Sequence, residues 1–380
     1  MAFKIIRVED SASLHRDHPF HRDLCPTCQV TTRNEMTEIE DLTPQDSDNS
    51  DLIHRVKKLI SSPSDEEFSA LALDIFRYQF DRNHPYAAFA RSIEKTPETV
   101  ARWEEIPAVP TAAFKLPDLP LTCGQETQTT FLTSGTTSET KGSHHFPSTH
   151  LYEKAISYGW PLPKLPTFFL APSNLESPQS SLSHMFRHLN DGDDSRFLLK
   201  NSKFRLDQLF LHLASGQPLI LMGTALAFRH LMEIHGSIPL PSSSHLLETG
   251  GYKGTSITLS KPDFYSQLSE FFKLPLNHLH NEYGMTELSS QAYATGPDGP
   301  HRFPRWCRHL ILDPETEREV APGETGYLVI HDLANLHSVC GIRTQDFAVR
   351  HEDHSFTLIG RDPGAIPRGC SRTIDQALSL

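Results

Sequence analysis

Apolar side chains recur at helical spacing in the first third of the chain. Phe68, Leu71, Ala72, Ile75 and Phe76 follow the 3.6-residue period of an α-helix with one apolar face. Because a helix with such a face must bury it, this segment predicts a helix packed on a hydrophobic core. Sustained patterning of this kind begins near residue 51.

From the middle of the chain, short apolar runs alternate with helical stretches. The helix predicted after the second run passes through Phe228, Leu231 and Ile234 and ends at Gly236. This alternation predicts an α/β fold: a mostly parallel sheet with helices on its faces and a ligand site beyond the carboxyl ends of its strands. The four runs are 167–171, 219–222, 245–248 and 277–280.

The pattern changes after Phe303. Runs at 310–312, 327–330 and 356–359 are separated by turn-forming residues, which is typical of antiparallel strands. We therefore expect a small β-rich subdomain in this region, and no internal repeat is visible. The predicted organisation is a polar, loosely ordered extension (1–50), an α/β core (51–300), and a β-rich subdomain with the C-terminal segment (301–380).

Composition narrows the functional class. The 380 residues are 37% hydrophobic and 22% charged, with a net charge of -12, as in a globular protein with an acidic surface. Without a basic stripe such a surface binds nucleic acid poorly, so nucleic acid is not an expected partner. The N-terminus lacks a secretory signal, and the most apolar window, 209–228, is interrupted by polar residues and Pro218, so no transmembrane segment and a cytoplasmic location are expected.

The six cysteines are scattered, which favours free thiols over a disulfide framework. Cys25 and Cys28 form a lone pair at CxxC spacing, preceded by His15, His18 and His21. These residue types can hold zinc, but a second pair at finger-like spacing is missing. A polar tail with two free thiols is therefore the favoured interpretation.

The strongest candidate for chemistry is the segment 133–143, TSGTTSETKGS. Its hydroxyl groups, two glycines and one lysine suit a cradle for phosphate oxygens, in which backbone N–H groups and a cation face the anion. It is not a Walker loop, because Lys141 precedes Gly142 and the glycine spacing differs. A surface loop of the same composition is the alternative.

Three further segments point to the same kind of site. Residues 248–254, ETGGYKG, follow a predicted strand and allow the backbone to approach a flat ligand closely. Residues 281–288, NEYGMTEL, follow another and place an aromatic ring, a hydroxyl and a carboxylate in one turn. The β-rich region adds RTQD at 343–346 and Gly360-Arg361. The chain has 22 histidines but no G-x-S-x-G sequence, the motif that carries the nucleophilic serine in many hydrolases. A hydrolase of the Ser-His-Asp type is therefore excluded.

Together these segments resemble adenylate-forming enzymes, which activate carboxylic acids with ATP. SGTTSETKG is similar to their phosphate loop, EYGMTEL to their nucleotide motif, RTQDFAV to their ribose motif and GRDPGA to the start of their hinge. FRYQFDRNHPYAAF, IPAVPTAAFK, ETGGYKG and the ending RGCS resemble the acyl-protein synthetase (LuxE) branch in particular. The similarity extends from about Phe68 to about Ser371. It implies the large domain of an adenylate-forming enzyme, with mixed and parallel sheets and flanking helices, plus the small β-rich subdomain.

The resemblance implies that ATP and Mg²⁺ are the cofactors and assigns residues to the phosphates. Ser134, Gly135, Thr136, Thr137 and Lys141 would hold the β- and γ-phosphates. Such a set neutralises charge through backbone donors, hydroxyls and one cation.

The resemblance also assigns residues to the nucleoside. Gly250 and Gly251 would border the adenine, and Tyr283 would stack on it. Asp346 would accept hydrogen bonds from the ribose hydroxyls, with Arg361 nearby.

At the reacting centre, the resemblance assigns Thr286 to the α-phosphate and Glu287 to Mg²⁺. One protein carboxylate suffices for this metal when substrate phosphates supply other oxygens. Cys370 matches the cysteine that accepts the acyl group as a thioester before a partner reductase receives it. Arg368 and Arg372 flank this cysteine and favour its thiolate form. Cys123, Cys307 and Cys340 are taken as ordinary buried thiols.

The match departs from the wider family in several places. Ser138 stands where glycine is usual, Thr140 where proline is usual, and Gln345 where glycine is usual. The C-terminal lid domain of most adenylating enzymes is expected to be missing, as in the acyl-protein synthetases, and with it a lysine that contacts the reacting carboxylate. On charge alone, Lys115 and Lys253 are candidates to replace it.

The sequence thus predicts an ATP-dependent acid–thiol ligase that forms an acyl-adenylate, with a long-chain fatty acid as the implied substrate. The acyl group would pass to Cys370 and then to a partner protein. One alternative is a ligase whose acceptor is a small thiol, an amine or a carrier protein. Another is a non-catalytic descendant that binds only a nucleotide or a partner, favoured by Ser138, Gln345 and the missing lysine domain.

Overall fold

A computed structural model describes residues 44–133, 141–250 and 259–362, with side chains from residue 49 onward. All of these belong to the compact unit Pro44–Leu380. The CxxC segment, most of the phosphate-loop motif and the cysteine near the C-terminus lie outside the described residues. The predicted domain boundaries stay predictions, and the first described helix begins at Pro44, before the predicted boundary at residue 51.

Local sequence signals account for the helices. In the second helix, the side chain of Ser64 accepts a hydrogen bond from the Glu67 backbone N–H, and three acidic residues occupy the first turn. This helix contains the periodic segment 68–76, so that prediction is confirmed. In the described part of the chain, no helix has the length and apolar character needed to cross a bilayer. The helices are α1 (Pro44–Ser61), α2 (Asp65–Arg82), α3 (His84–Ser92), α4 (His150–Gly159), α5 (Ser181–Leu189), α6 (Asp207–Leu213), α7 (Ala225–Ile234) and α8 (Lys261–Phe272).

The strands form two larger sheets and two hairpins. The larger sheets are a central sheet, in the order β10-β9-β8-β7-β4, and a C-terminal sheet, in the order β1-β13-β12-β11 with β14 also paired to β13. β2 pairs with β3, and β5 with β6. The strands are β1 (Val109–Pro110), β2 (Thr129–Leu132), β3 (Ser143–Phe146), β4 (Thr167–Leu170), β5 (Leu199–Lys200), β6 (Lys203–Phe204), β7 (Ile220–Thr224), β8 (His245–Thr249), β9 (Leu279–Tyr283), β10 (Ala292–Thr295), β11 (Cys307–Leu312), β12 (Thr325–Asp332), β13 (Gly341–Arg350) and β14 (Phe356–Arg361).

The central sheet confirms the predicted parallel arrangement. β4, β7, β8 and β9 are parallel neighbours, and β10 adds an antiparallel edge. The predicted helix after β7 is α7, whose first turn is capped by the Thr224 side chain. The fourth predicted run begins later than expected, because Leu276–His278 forms a 3-10 turn after Pro275 and the strand starts at Leu279. Parallel strands that follow one another in this way bring their carboxyl ends to one edge.

The C-terminal sheet contains the three predicted antiparallel strands within β11, β12 and β14. Its long central strand, β13, carries the RTQD motif. β1 pairs in parallel with β13 at Ile342 and Arg343, so residues from the first third of the chain complete this sheet. One continuous hydrophobic core joins α2, α3 and this sheet, which places the connection after α3 beside β13.

Candidate functional site

Three of the motifs found in the sequence meet beyond the carboxyl ends of β8 and β9. Thr249 and Glu282 are register partners near the ends of these strands, and Tyr283 is the last residue of β9. Gly250 directly follows β8 with φ 77°, a left-handed conformation that favours glycine. The strand β8 therefore ends at a residue whose backbone conformation favours glycine, next to the end of β9.

Tyr283, Asp346 and Arg361 form one cluster, although they lie far apart in the sequence. The Tyr283 hydroxyl donates to Asp346 Oδ2 at 2.8 Å. Arg361 is the cross-strand partner of Asp346, with its Nε 3.7 Å from Asp346 Oδ1. The Asp346 and Arg361 side chains are 19% and 20% exposed, so they remain accessible to a ligand. The structure thus joins an aromatic ring, an acceptor carboxylate and a cation in one half-buried site.

Thr286 and Glu287 lie in the turn after β9 and are 1% and 2% exposed. The Thr286 hydroxyl is 3.4 Å from the Ser181 hydroxyl at the start of α5. The Glu287 carbonyl accepts from Asn335 Nδ2 at 2.8 Å, which fixes the backbone of the turn. A carboxylate is the kind of group that can bind Mg²⁺ together with phosphate oxygens, and Glu287 lies four residues after Tyr283.

The phosphate-loop motif connects two antiparallel strands, β2 and β3. Its two ends are clamped together: Thr133 N–H donates to the Gly142 carbonyl at 2.8 Å, and Gly142 N–H donates to Thr133 Oγ1 at 2.7 Å. A Cβ at position 142 would lie 3.0 Å from the Thr133 side chain, so a larger residue there would have to displace Thr133 by a few tenths of an ångström. Lys141 is exposed beside this clamp. The remaining predicted loop residues Ser134, Gly135, Thr136 and Thr137, together with Gly251 and Cys370, lie outside the described residues.

His144, which the sequence did not single out, links the phosphate-loop strand to the Thr286 turn. Its Nδ1 donates to the Thr286 carbonyl at 2.8 Å, because a carbonyl only accepts. Burial lowers the pKa of His144 to about 4, so the ring is neutral at physiological pH. Its ring centroid lies 5.4 Å from that of Phe114 and 4.2 Å from that of Phe146. The two predicted phosphate-contacting segments are therefore joined by one buried side chain.

Replacing His144 tests this link. We expect His144→Leu to leave the Thr286 carbonyl buried without its donor, which costs about 1–3 kcal/mol of unfolding free energy. His144→Asn keeps an N–H donor on a shorter side chain and should lose less. Thermal unfolding of the two variants beside wild type measures the difference. Equal losses in both variants would mean that ring packing, and not the hydrogen bond, holds the turn.

Glu248, in strand β8, is a further buried polar residue. Glu248 Oε2 accepts from Asn281 Nδ2 at 2.5 Å and from the Tyr265 hydroxyl at 3.3 Å. Burial raises the pKa of Glu248 to about 8, so its carboxyl group is largely protonated at neutral pH. His301 Nε2 donates to Asn281 Oδ1 at 2.6 Å, which fixes the amide between the two partners. The His301 ring of this network lies 6.2 Å from the Tyr283 ring, so the network borders the cluster.

Among the described residues, no group of three or more His, Cys, Asp and Glu side chains has the arrangement of a metal site. A protein cage for the metal is therefore not seen in this part of the chain. A single carboxylate such as Glu287 fits the alternative in which the nucleotide phosphates complete the coordination.

In sequence and in fold, the chain is similar to known ligases. No protein-family profile matches the chain. A long-chain-fatty-acid–luciferin-component ligase from Aliivibrio fischeri is 22% identical over 301 residues, covering 74% of this chain and 79% of that protein. The resemblance to the LuxE type of ligase, inferred from the motifs, is thereby confirmed.

The solved structures of a 2-hydroxyisobutyryl-CoA ligase share the fold. An open conformation in complex with 2-HIB-AMP and CoA has a TM-score of 0.53 at 14% identity, covering 84% of this chain and 76% of that one. A postadenylation state in complex with 2-HIB-AMP has a TM-score of 0.55 at 14% identity, covering 79% and 69%. The mixed α/β fold predicted from the sequence is that of adenylate-forming ligases.

Proposed function

We propose that this protein is an ATP- and Mg²⁺-dependent ligase that activates a carboxylic acid as an acyl-adenylate. The observation that carries the proposal is the cluster of Tyr283, Asp346 and Arg361 beside the Thr286–Glu287 turn. An aromatic face, an acceptor carboxylate and a cation are what the base, ribose and phosphates of a nucleotide need. The similarity to a fatty-acid ligase supports the acid as the second substrate.

The reaction needs alignment and charge neutralisation. A carboxylate oxygen of the acid attacks the α-phosphorus, and the bond from that phosphorus to the bridging oxygen breaks as pyrophosphate leaves. Both reactants are anionic, so the site must hold them together against repulsion. In this proposal, Asp346 orients the ribose, Thr286 contacts the α-phosphate, and Glu287 would hold Mg²⁺. Magnesium, when bound, neutralises charge on the phosphate oxygens.

The proposed second step forms a thioester. The Cys370 thiolate attacks the carbonyl carbon of the acyl-adenylate, the bond to the phosphate oxygen breaks, and AMP leaves. The acyl group then passes to a partner protein, for which the family resemblance implies an acyl reductase. Arg368 and Arg372 support the thiolate form of Cys370 by charge.

Two alternative functions use the same site differently. A small thiol, an amine or a carrier protein would replace Cys370 as acceptor if the cysteine variant still consumed the adenylate. Nucleotide binding without chemistry would be the function if ATP bound tightly and no acid were activated.

Carboxylate-dependent exchange of pyrophosphate into ATP tests the proposal. We expect exchange that requires both Mg²⁺ and a carboxylic acid, measured over a panel from short to long fatty acids and aromatic acids. ATP affinity is measured in parallel by calorimetry. Tight ATP binding with no exchange for any acid would refute the ligase function and leave nucleotide binding.

A further inference from the structure

An apolar groove lies between α3 and the segment 109–121. Its cavity volume is about 360 Å³, within the size range of ligand pockets. Val109 and Leu121 form its floor and are 2% and 5% exposed. Phe89 of α3 stands on one side, and Ala113 and Leu116 stand on the other.

The rim of the groove keeps large apolar side chains in water. Leu116 is 50% exposed and Leu119, which also lines the groove, is 51% exposed. Scattered exposed leucines are ordinary, but here two of them border a concave surface that is itself apolar. Covering this surface with an apolar ligand would remove both side chains from water.

The groove shares a structural element with the candidate site. The 3-10 turn Thr111–Lys115 lines the groove through Ala113. On its other side, the Phe114 ring packs on His144, and a Cβ at position 142 would lie 3.3 Å from the Phe114 carbonyl oxygen. One short turn therefore contacts the end of the phosphate loop and forms a wall of the groove.

The lining favours a hydrocarbon over a peptide. Among the residues that line it, only His84 has a polar side chain. A bound peptide strand needs partners for its N–H and C=O groups, whereas a hydrocarbon chain needs none. In the sequence, Lys115 lies between Phe114, whose ring packs on His144, and Leu116, which lines the groove. The turn that borders both the groove and the candidate site therefore carries a positive charge. A ligand with an apolar chain and an anionic end matches this distribution.

Two of the four segments that resemble the acyl-protein synthetase branch contribute to the lining of the groove. RNHPYAAF supplies the α3 side, and VPTAAFK supplies β1 and the turn. The relative that is 22% identical over 301 residues is named as a ligase of long-chain fatty acids. Two segments that carry the resemblance to this branch therefore meet at one apolar surface.

We infer that this groove binds the hydrocarbon chain of a fatty acid, an inference that rests on the proposed ligase function for its substrate. The acyl chain would lie along α3 and the 109–121 segment, with its carboxylate towards the turn that carries Lys115. Selectivity for long chains would then come from the groove. Each methylene that it buries strengthens binding about fourfold.

Two kinds of variant test the groove without disturbing buried residues. Leu116→Gln combined with Leu119→Gln makes the rim polar at positions that are already half exposed. Ala88→Trp fills the groove from an exposed position of α3. Leu211→Gln, at a 69% exposed leucine on α6, is the matched control. Binding of a dansyl-labelled undecanoic acid is measured without ATP, and exchange is measured from hexanoic to hexadecanoic acid.

We expect both groove variants to weaken probe binding by about tenfold, the equivalent of roughly two buried methylenes, and to flatten the chain-length profile. Leu211→Gln should match wild type. Probe affinity that is unchanged in both groove variants overturns the inference, and a changed oligomeric state in them would identify a second copy as the occupant. If the groove variants weaken probe binding but the wild-type protein shows no pyrophosphate exchange, the ligase function is refuted. The groove then remains a binding site for an apolar chain.

Discussion

Glu287→Gln is expected to lower Mg²⁺-dependent pyrophosphate exchange by about 10²–10³-fold, because a metal contributes several kcal/mol of charge stabilisation. Glutamine keeps the shape of the side chain but removes the negative charge that the proposal assigns to Mg²⁺. The residue is 2% exposed, so a neutral side chain there is not costly to bury. The measurement is the exchange rate as a function of Mg²⁺ concentration at saturating ATP and acid.

Two controls separate metal binding from folding. Glu287→Asp retains the carboxylate one methylene further back and should recover part of the rate at raised Mg²⁺. The midpoint of thermal unfolding of Glu287→Gln should stay near wild type, because the Asn335 bond goes to the Glu287 backbone carbonyl and survives the change. An exchange rate in Glu287→Gln equal to that of the wild type would show that Glu287 does not take part in the reaction.

The parallel strands were predictable because they are buried on both faces. β4 and β7 are buried at every position, so their sequences are continuous apolar runs. β13 and β10 gave no such signal: β13 mixes charged and apolar residues along ten positions, and β10 alternates small residues with Tyr293 and Thr295. The start of β9 was misplaced because the 3-10 turn after Pro275 takes residues that are compatible with a strand.

The candidate site was predictable in its composition but not in its connections. Tyr283 and Asp346 were assigned to one nucleotide on motif grounds, and the structure adds that they are directly hydrogen-bonded. The His144 contact with the Thr286 carbonyl spans 142 positions, and no local pattern signals it. In the sequence, Glu248 is notable only because it precedes a pair of glycines. Its pKa is raised because α8 and β9 bury it, and this burial is evident only from the tertiary structure. The residue types of the candidate site can thus be read from the sequence, whereas the contacts between them depend on tertiary packing.

The burial of three of the six cysteines bears on which of them could serve as the proposed acyl acceptor. Cys123, Cys307 and Cys340 are all buried, and burial raises the pKa of each thiol, that of Cys340 to about 12. A thiol with such a pKa supplies almost no thiolate at neutral pH, so these three are poor nucleophiles. The candidates that remain, Cys25, Cys28 and Cys370, lie outside the described residues. Of these, only Cys370 has an arginine two residues away on each side.

Cys370→Ala is therefore expected to abolish covalent acylation of the protein while leaving pyrophosphate exchange intact. Exchange requires only the adenylate, whereas a thioester requires the sulfur nucleophile that the variant lacks. Labelled fatty acid, ATP and Mg²⁺ are incubated with the protein, and label that hydroxylamine removes is measured beside exchange. Cys28→Ala is the matched control and should be labelled like wild type. Full labelling of Cys370→Ala would show that another residue accepts the acyl group. If wild-type protein catalyses exchange but is not labelled, the acceptor is a separate thiol or amine.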